Sequence, residues 1–352
     1  MKLVGKRGSR PHLMPKPASQ KDQDQIVRSN PFKPLYESCN AGNSRKKFEE
    51  LPDFPNFVDL ELTNTCNFRC LMCPTGNHSL ERGAGFMAED TFRKVVDELA
   101  LHNTPIRFIL WGEPTLHPKF LEFLSMANER GILTHINTNG SKLTPDFIKK
   151  MIDRGIDSIK FSFQGVDRKS YHEMRNIDYF DGLIEVMKVF RDMRGDRDLP
   201  YLHASTSITY ETREQVQAFR DLMKELVDAV SIGRTVFYHA DLKSVRLRPS
   251  EMKILETLIE EESVVKKHPE CPEVYDKLSI NWDGSVTACC DDPNNEMVLG
   301  SLDNMSISEI WHSEKLNYYR EMLAQMRHDE LPRCKTCYDY QGLVTPGLQE
   351  ID

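Results

Sequence analysis

The sequence predicts an α/β fold: an open, partial barrel of six parallel βα units, followed by a small cysteine-stapled unit. Three observations predict it. Between about residues 57 and 237, short β-branched and aromatic runs alternate with segments of helical period. After about residue 250 that alternation stops and an Asp-Gly turn sits between two short apolar runs. The cysteines, Cys39 apart, fall into two groups, one near the start of the barrel and one in the C-terminal unit. The chain divides accordingly into a basic, loosely attached tail (1–50), a barrel (51–250) and a second unit (251–345).

The elements follow in order. Phe57–Thr63 reads as a strand that ends at the first cysteines. Glu89–Leu101 places Phe92, Val95, Val96 and Leu99 on one helical face. Ile106–Trp111 is a second, buried strand. Lys119–Glu129 is a helix with Phe120, Leu121 and Leu124 inward, stopped by Gly131. Ile132–Asn137 is the third strand. The next helix has a capping Thr144, Pro145 in its first turn and Gly155 past its end, with Phe147, Ile148, Met151 and Ile152 buried. Ser158–Phe163 is the fourth strand, a helix lies near Tyr179–Arg191, and Leu202–Ile208 is the fifth strand. Glu211–Val227 is a helix with Val216, Phe219, Met223 and Leu226 inward, and Val230–Phe237 is the sixth strand. Strands separated by helices imply a parallel sheet. Six units are too few for the closed eight-fold barrel, and in such barrels chemistry sits in the loops after the strands. Beyond them, Lys277–Trp282 and Ser285–Ala288 form a hairpin about Asp283-Gly284, and helices lie at Ile307–His312 and Lys315–Met326.

Bulk properties exclude several classes. Of the 352 residues, 39% are apolar and 28% charged, as in globular enzymes. No run approaches the roughly 20 apolar residues that cross a bilayer, and no apolar segment follows the basic N-terminus, so a cytoplasmic location is expected. Residues 1–50 carry 11 Lys/Arg and 5 Asp/Glu, whereas the whole chain has a net charge of −8. The acidic body argues against nucleic acid as a substrate. Without a secretory signal the nine cysteines point to metal or redox chemistry rather than disulfides.

Cys66, Cys70 and Cys73 lie in TCNFRCLMC. Thiolates hold iron–sulfur clusters; three on one tight loop hold three irons of a cube and leave the fourth open. Zinc is the alternative, with His78 as a fourth ligand, although structural zinc wants four closed ligands. The loop resembles the signature of the radical S-adenosylmethionine (SAM) superfamily. That resemblance implies a [4Fe-4S] cluster whose open iron chelates SAM, a 5′-deoxyadenosyl radical that abstracts hydrogen from substrate, and a reducing donor such as flavodoxin or ferredoxin. It also implies roles for residues at the strand ends. Met72 stands where the family usually has an aromatic residue over the adenine. WGEPTLHP (111–118) is similar to the family's GGEP segment, so Gly112 and Glu113 would meet the SAM amino group, with Trp111 in place of a glycine. Asn137 opens NTNG, which resembles the family's TNG and equally suits an ordinary turn. Ser162 and Gln164, on one face of the fourth strand's end, and Arg175 match positions that bind the SAM ribose and carboxylate, or in the case of Arg175 the substrate.

In the second group, Cys271, Cys289, Cys334 and Cys337 supply four thiolates, enough to close completely around a second cube or a structural zinc. The arrangement resembles the C-terminal extensions called SPASM and twitch. No cysteine follows Cys337, so one auxiliary [4Fe-4S] cluster is implied, as in the shorter twitch form of the dehydrogenases that act on 2-deoxy-scyllo-inosamine. Cys290 is a candidate catalytic thiol that returns a hydrogen atom to a substrate radical; it could also exchange roles with Cys289 or be a small packed residue. Cys39 is expected to be inert. The functions implied are oxidation of an alcohol on a sugar or aminocyclitol, redox-neutral epimerisation through Cys290, or modification of a peptide; a zinc-stapled binding protein is the non-catalytic alternative. His203, Tyr210, Arg234 and Tyr238 lie near late strand ends and could face a substrate.

Overall fold

The computed structural model describes residues 27–39, 44–209, 211–235, 249, 271 and 273–337. Six strands run along the first part of the chain: β1 (Phe57–Leu60), β2 (Ile106–Phe108), β3 (Thr134–Thr138), β4 (Ser158–Ser162), β5 (Tyr201–Ile208) and β6 (Ala229–Arg234). The helices before and between them are α1 (Lys33–Cys39), α2 (Ser44–Glu49), α3 (Pro74–Asn77), α4 (Glu89–His102), α5 (Phe120–Glu129), α6 (Pro145–Asp153), α7 (Arg168–Arg175), α8 (Phe180–Arg194) and α9 (Arg213–Lys224). After them come α10 (Glu273–Asp276), β7 (Lys277–Ile280), β8 (Ser285–Thr287), β9 (Val298–Ser301), α11 (Ile307–Trp311) and α12 (Glu314–Ala324).

The nine strands among the described residues share one sheet, in the order β6-β5-β4-β3-β2-β1-β7-β8-β9. The first six pair in parallel, as the alternation of strand and helix requires. The C-terminal unit does not begin a separate sheet: β7 runs parallel to β1, with Asp59 opposite Ser279. The expected hairpin follows as β7–β8, and β9 adds a third, antiparallel strand. Gly284 takes φ +82° in the turn, a conformation that suits glycine.

One face of the parallel sheet is apolar. Val58, Leu60, Ile106, Phe108, Ile136, Ile159, Phe161, Leu202 and Ala204 pack with the helices in a continuous core. Phe92, Val95, Val96 and Leu99 line α4 as the periodicity requires. In α5 the inward residues are Phe120, Phe123, Leu124 and Ala127, while Leu121 is only half-buried. Thr144 caps α6 by accepting from Phe147 N at 3.3 Å. α7 was not foreseen; an Asp167–Ser170 capping box starts it.

Strand ends depart from the expected bounds. β2 stops at Phe108 because Leu110 turns the chain at φ +84°, a left-handed conformation that non-glycine residues rarely adopt. β1 stops at Leu60, and Thr63 bridges antiparallel to Phe86.

The expectation of a loose tail over 1–50 does not hold for its described second half. Phe32 is fully buried and meets the His135 ring edge-on at 5.6 Å. Arg28 donates to Arg197 O at 2.9 Å and Gly195 O at 2.8 Å, and Lys47 is ion-paired to Asp276. Apolar residues too sparse for a periodic pattern still find a groove at the start of the strands.

Candidate functional site

Cys66, Cys70 and Cys73 occupy the loop between β1 and α3. Two glycines let that loop close. A Cβ on Gly76 would collide with the backbone of Cys70, and one on Gly112 with the carbonyl of Thr63. Glu113 N donates to Thr65 O at 2.9 Å, so the loop after β2 is laid directly on the cysteine loop. Burial pushes the Cys66 thiol up to about 12, helped by Cys70, Glu113 and Cys73; burial likewise raises Cys73. Burial raises Cys39 just as far, so the shift itself marks no ligand; ionising these three thiols to hold a cluster takes the positive charge of its irons.

Glu113 is buried, and its carboxylate accepts from Thr115 Oγ at 2.6 Å, Thr138 Oγ at 2.8 Å and Asn139 N at 2.7 Å. Burial raises its carboxyl against the pull of these donors. The residue therefore clamps the end of β2 to the end of β3. Asn137 is not part of that clamp. Its Oδ1 accepts from His135 Nε2 at 2.9 Å, further down the strand. Asn139 reaches the cysteines instead, donating to Asn67 Oδ1 at 3.1 Å with its Nδ2 3.9 Å from Cys66 Sγ. The NTNG run contains both residues, but only the register decides which one faces the loop.

Arg175, at the end of α7, is brought to the site: its guanidinium donates to Ser162 O and lies 3.6 Å from Cys70 Sγ. Gln164 donates to Thr235 at the end of β6, and Thr209 and Thr235 join hydroxyls at 2.8 Å. Met72 is half-buried against the core beside the loop. His117 is a packing residue. Nδ1 accepts from Lys119 N at 3.1 Å and Nε2 donates to Met87 O at 2.9 Å. Of the late residues, His203 lies on the inner face of β5; Tyr210 and Tyr238 fall outside the described residues, as does the side chain of Arg234.

The second thiol set gathers at the other end of the sheet, around α10 and the hairpin. Burial raises Cys271 well above an ordinary thiol, with Glu273, Cys334 and Cys337 adding to it; burial takes Cys334 up to about 12, again with Cys337 adding. Cys271 thus feels the charge of both Cys334 and Cys337, and Cys334 that of Cys337. Cys289 is raised first by its hydrogen bond to Cys290, then by burial. Cys290 Sγ lies 3.2 Å from Glu273 Oε2 and 3.5 Å from Lys277 Nζ. Lys277 in turn lies 3.3 Å from Asp59 Oδ2 on β1. Cys290 thus adjoins the inner face of the sheet through Lys277. Among the described residues, no three His, Cys, Asp or Glu groups gather about one point as they would for a single ion. Three thiols on one loop suit three irons of a cube, and the four of the second set suffice to close around another.

A parallel α/β sheet with a three-thiol loop at the carboxyl ends of its strands and four or five thiols near the start of β7 defines a class: a protein built around two iron–sulfur clusters. The chain matches the Radical SAM superfamily over residues 60–223 and the iron–sulfur cluster-binding domain SPASM over residues 271–338. It belongs to the radical SAM superfamily, with a SPASM domain, and binds SAM and [4Fe-4S] clusters. It is 23% identical over 317 residues to the tungsten-containing aldehyde ferredoxin oxidoreductase cofactor-modifying protein of Pyrococcus furiosus, covering 80% of this chain and 86% of that one. The fold is similar to BtrN in complex with AdoMet and 2-DOIA (TM-score 0.51, 18% identity, 85% of this chain and 96% of that chain). It is also similar to Streptococcus suis SuiB bound to precursor peptide SuiA (TM-score 0.60, 14% identity, 86% of this chain and 74% of that chain). Among the described residues no helix is long and apolar enough to cross a membrane.

Proposed function

We propose that this radical SAM enzyme is an oxidoreductase that converts an alcohol of a small sugar-like or aminocyclitol substrate to a carbonyl. When bound, SAM and the two clusters supply hydrogen-atom abstraction at one end of the sheet and one-electron uptake at the other. The chain's own residues do the rest. Cys66, Cys70 and Cys73 hold the first cluster, with Arg175 and Asn139 beside them and Glu113 fixing the loops that meet SAM. Cys271, Cys289, Cys334 and Cys337 hold the second. The observation that carries the reading is this second thiol set, an auxiliary-cluster site whose neighbour Cys290 adjoins the inner face of the sheet through Lys277. BtrN, of similar fold, was crystallised with 2-DOIA.

Cys290 favours a second reading, redox-neutral epimerisation, because its thiol, besides meeting Cys289 and Glu273, contacts Lys277 on the inner face. Anaerobic turnover with candidate aminocyclitols, sugars and short peptides, read by mass spectrometry for loss of two hydrogens, tests the proposal. Oxidation that persists in Cys290→Ala supports the dehydrogenase. Products of unchanged mass made only by the wild type point to the epimerase. A modified peptide, SuiB being the structural precedent bound to one, would overturn the small-molecule reading.

A further inference from the structure

The inner face of the parallel sheet is layered by its register. Asp59, Arg107, His135 and Ser158 form one row across β1–β4. Two residues further along, Asn137, Lys160 and His203 stand opposite one another. The row above holds Ser162, Ser205 and Ser231, with the last two hydroxyls 3.1 Å apart. Carboxylates on this face are already engaged. Asp59 is held by Arg107 at 2.6 and 2.8 Å and by Lys277 at 3.3 Å; Glu61 is held by Arg82 at 3.0 and 2.8 Å. His135 is occupied by Asn137 and Ser158. Lys160 and His203 remain. They are half-buried side by side, and among the described residues neither has a hydrogen-bond or ion-pair partner.

We propose that Lys160 and His203 form a subsite for an anionic oxygen group, carboxylate or phosphate, on the substrate. The inference deepens the reading above and rests on it for placing the substrate in the barrel. A half-buried ammonium without a counterion is unfavourable, and an oxyanion seated across the two strands would relieve that. The surrounding charge agrees. Burial and the neighbouring Arg107 lower Lys160, and burial and Lys160 lower His203 to about 4. The SAM carboxylate is a different anion with another place to go. Arg175 and Ser162 lie a layer nearer the cysteine loop.

The test is equilibrium dialysis of the cluster-loaded protein against inorganic phosphate and, separately, acetate, with SAM binding measured in parallel. Saturable binding of phosphate or acetate identifies which oxyanion the subsite takes. Lys160→Met should weaken it about tenfold or more, the loss expected for one charge-assisted hydrogen bond, and His203→Ala should weaken it less. Lys160→Arg should retain most of it. Iron content and SAM affinity unchanged in each variant show that the fold is intact. Absence of saturable binding, or equal binding by wild type and both variants, overturns the proposal. So does a tenfold loss of SAM affinity in Lys160→Met, which would assign the lysine to the SAM carboxylate. Neither probe needs turnover, so a negative result here leaves alcohol oxidation standing, and a failed oxidation leaves the subsite standing.

Discussion

Glu113 shows how a single carboxylate can organise a site. Each of its oxygens accepts from the chain, at Thr115, Thr138 and Asn139. In Glu113→Gln an amide must turn its N–H groups toward some of those donors. A buried donor left unmatched costs about 1–3 kcal/mol, so SAM affinity should fall about tenfold while auxiliary-cluster iron is retained; equilibrium dialysis with SAM and an iron assay read both. His135 carries a different consequence. Burial lowers its imidazole to about 3, with Arg107, Lys160 and His203 adding to the shift and Asn137 opposing it. A free histidine titrates near 6.5. Between those values the unfolded chain binds a proton that the folded one refuses, so stability falls as pH drops below about 6.5, by up to about 1.4 kcal/mol per unit. Urea midpoints at pH 7 and pH 5 should differ less in His135→Gln than in wild type. Identical pH dependence of the two would remove the account. At this scale the sequence showed which residue types were present but not which were spoken for. Asn137 and Asn139 are equivalent in NTNG, and only the pairing of β3 with its neighbours separates them.

Among the elements, the loop after β2 matters most. Gly112 presses against the Thr63 carbonyl, Leu110 is held at φ +84°, and Thr75 donates to Trp111 O. Backbone strain of this kind persists where the surroundings over-determine it, as they do at active sites. Gly112→Ala should push the cysteine loop away from the end of β2. The expected outcome is a first cluster that fails to assemble while the auxiliary cluster forms, seen as about half the wild-type iron and loss of SAM binding. Full iron loading in Gly112→Ala would show that the loop can move aside. Helix faces were legible because burial at period 3.6 repeats within one segment: α4 buries the four residues its pattern names. The start of α7 and the end of β2 were not, because a capping box and a single left-handed residue leave little periodic trace.

For the whole molecule, two clusters on one sheet should be separable. Replacing Cys66, Cys70 and Cys73 together with Ala should leave about four irons per chain, one cube held by the second thiol set, and abolish SAM cleavage. Iron and sulfide analysis after anaerobic reconstitution reads this directly. A protein with no iron at all would mean that the second set depends on the first. The continuous sheet gives the physical basis for independence. β7 pairs with β1 through backbone bonds, and buried Arg320 ties α12 to α10 and α11 by donating to Val274 O at 2.9 Å and Trp311 O at 2.8 Å. Neither link passes through the cysteine loop after β1.

The sequence alone determined the cysteine spacing, the strand–helix alternation and the Asp-Gly hairpin, because each depends on residues close together in the chain and on short-range geometry. Tertiary structure decided the rest: that β7 joins the sheet beside β1, that Phe32 and Arg28 belong to the body, that Asn139 rather than Asn137 meets the cysteines, and that Lys160 and His203 stand together with no described partner. These are facts of register. Register is a long-range property, set when strands far apart in sequence bury one face together, and no local pattern encodes it.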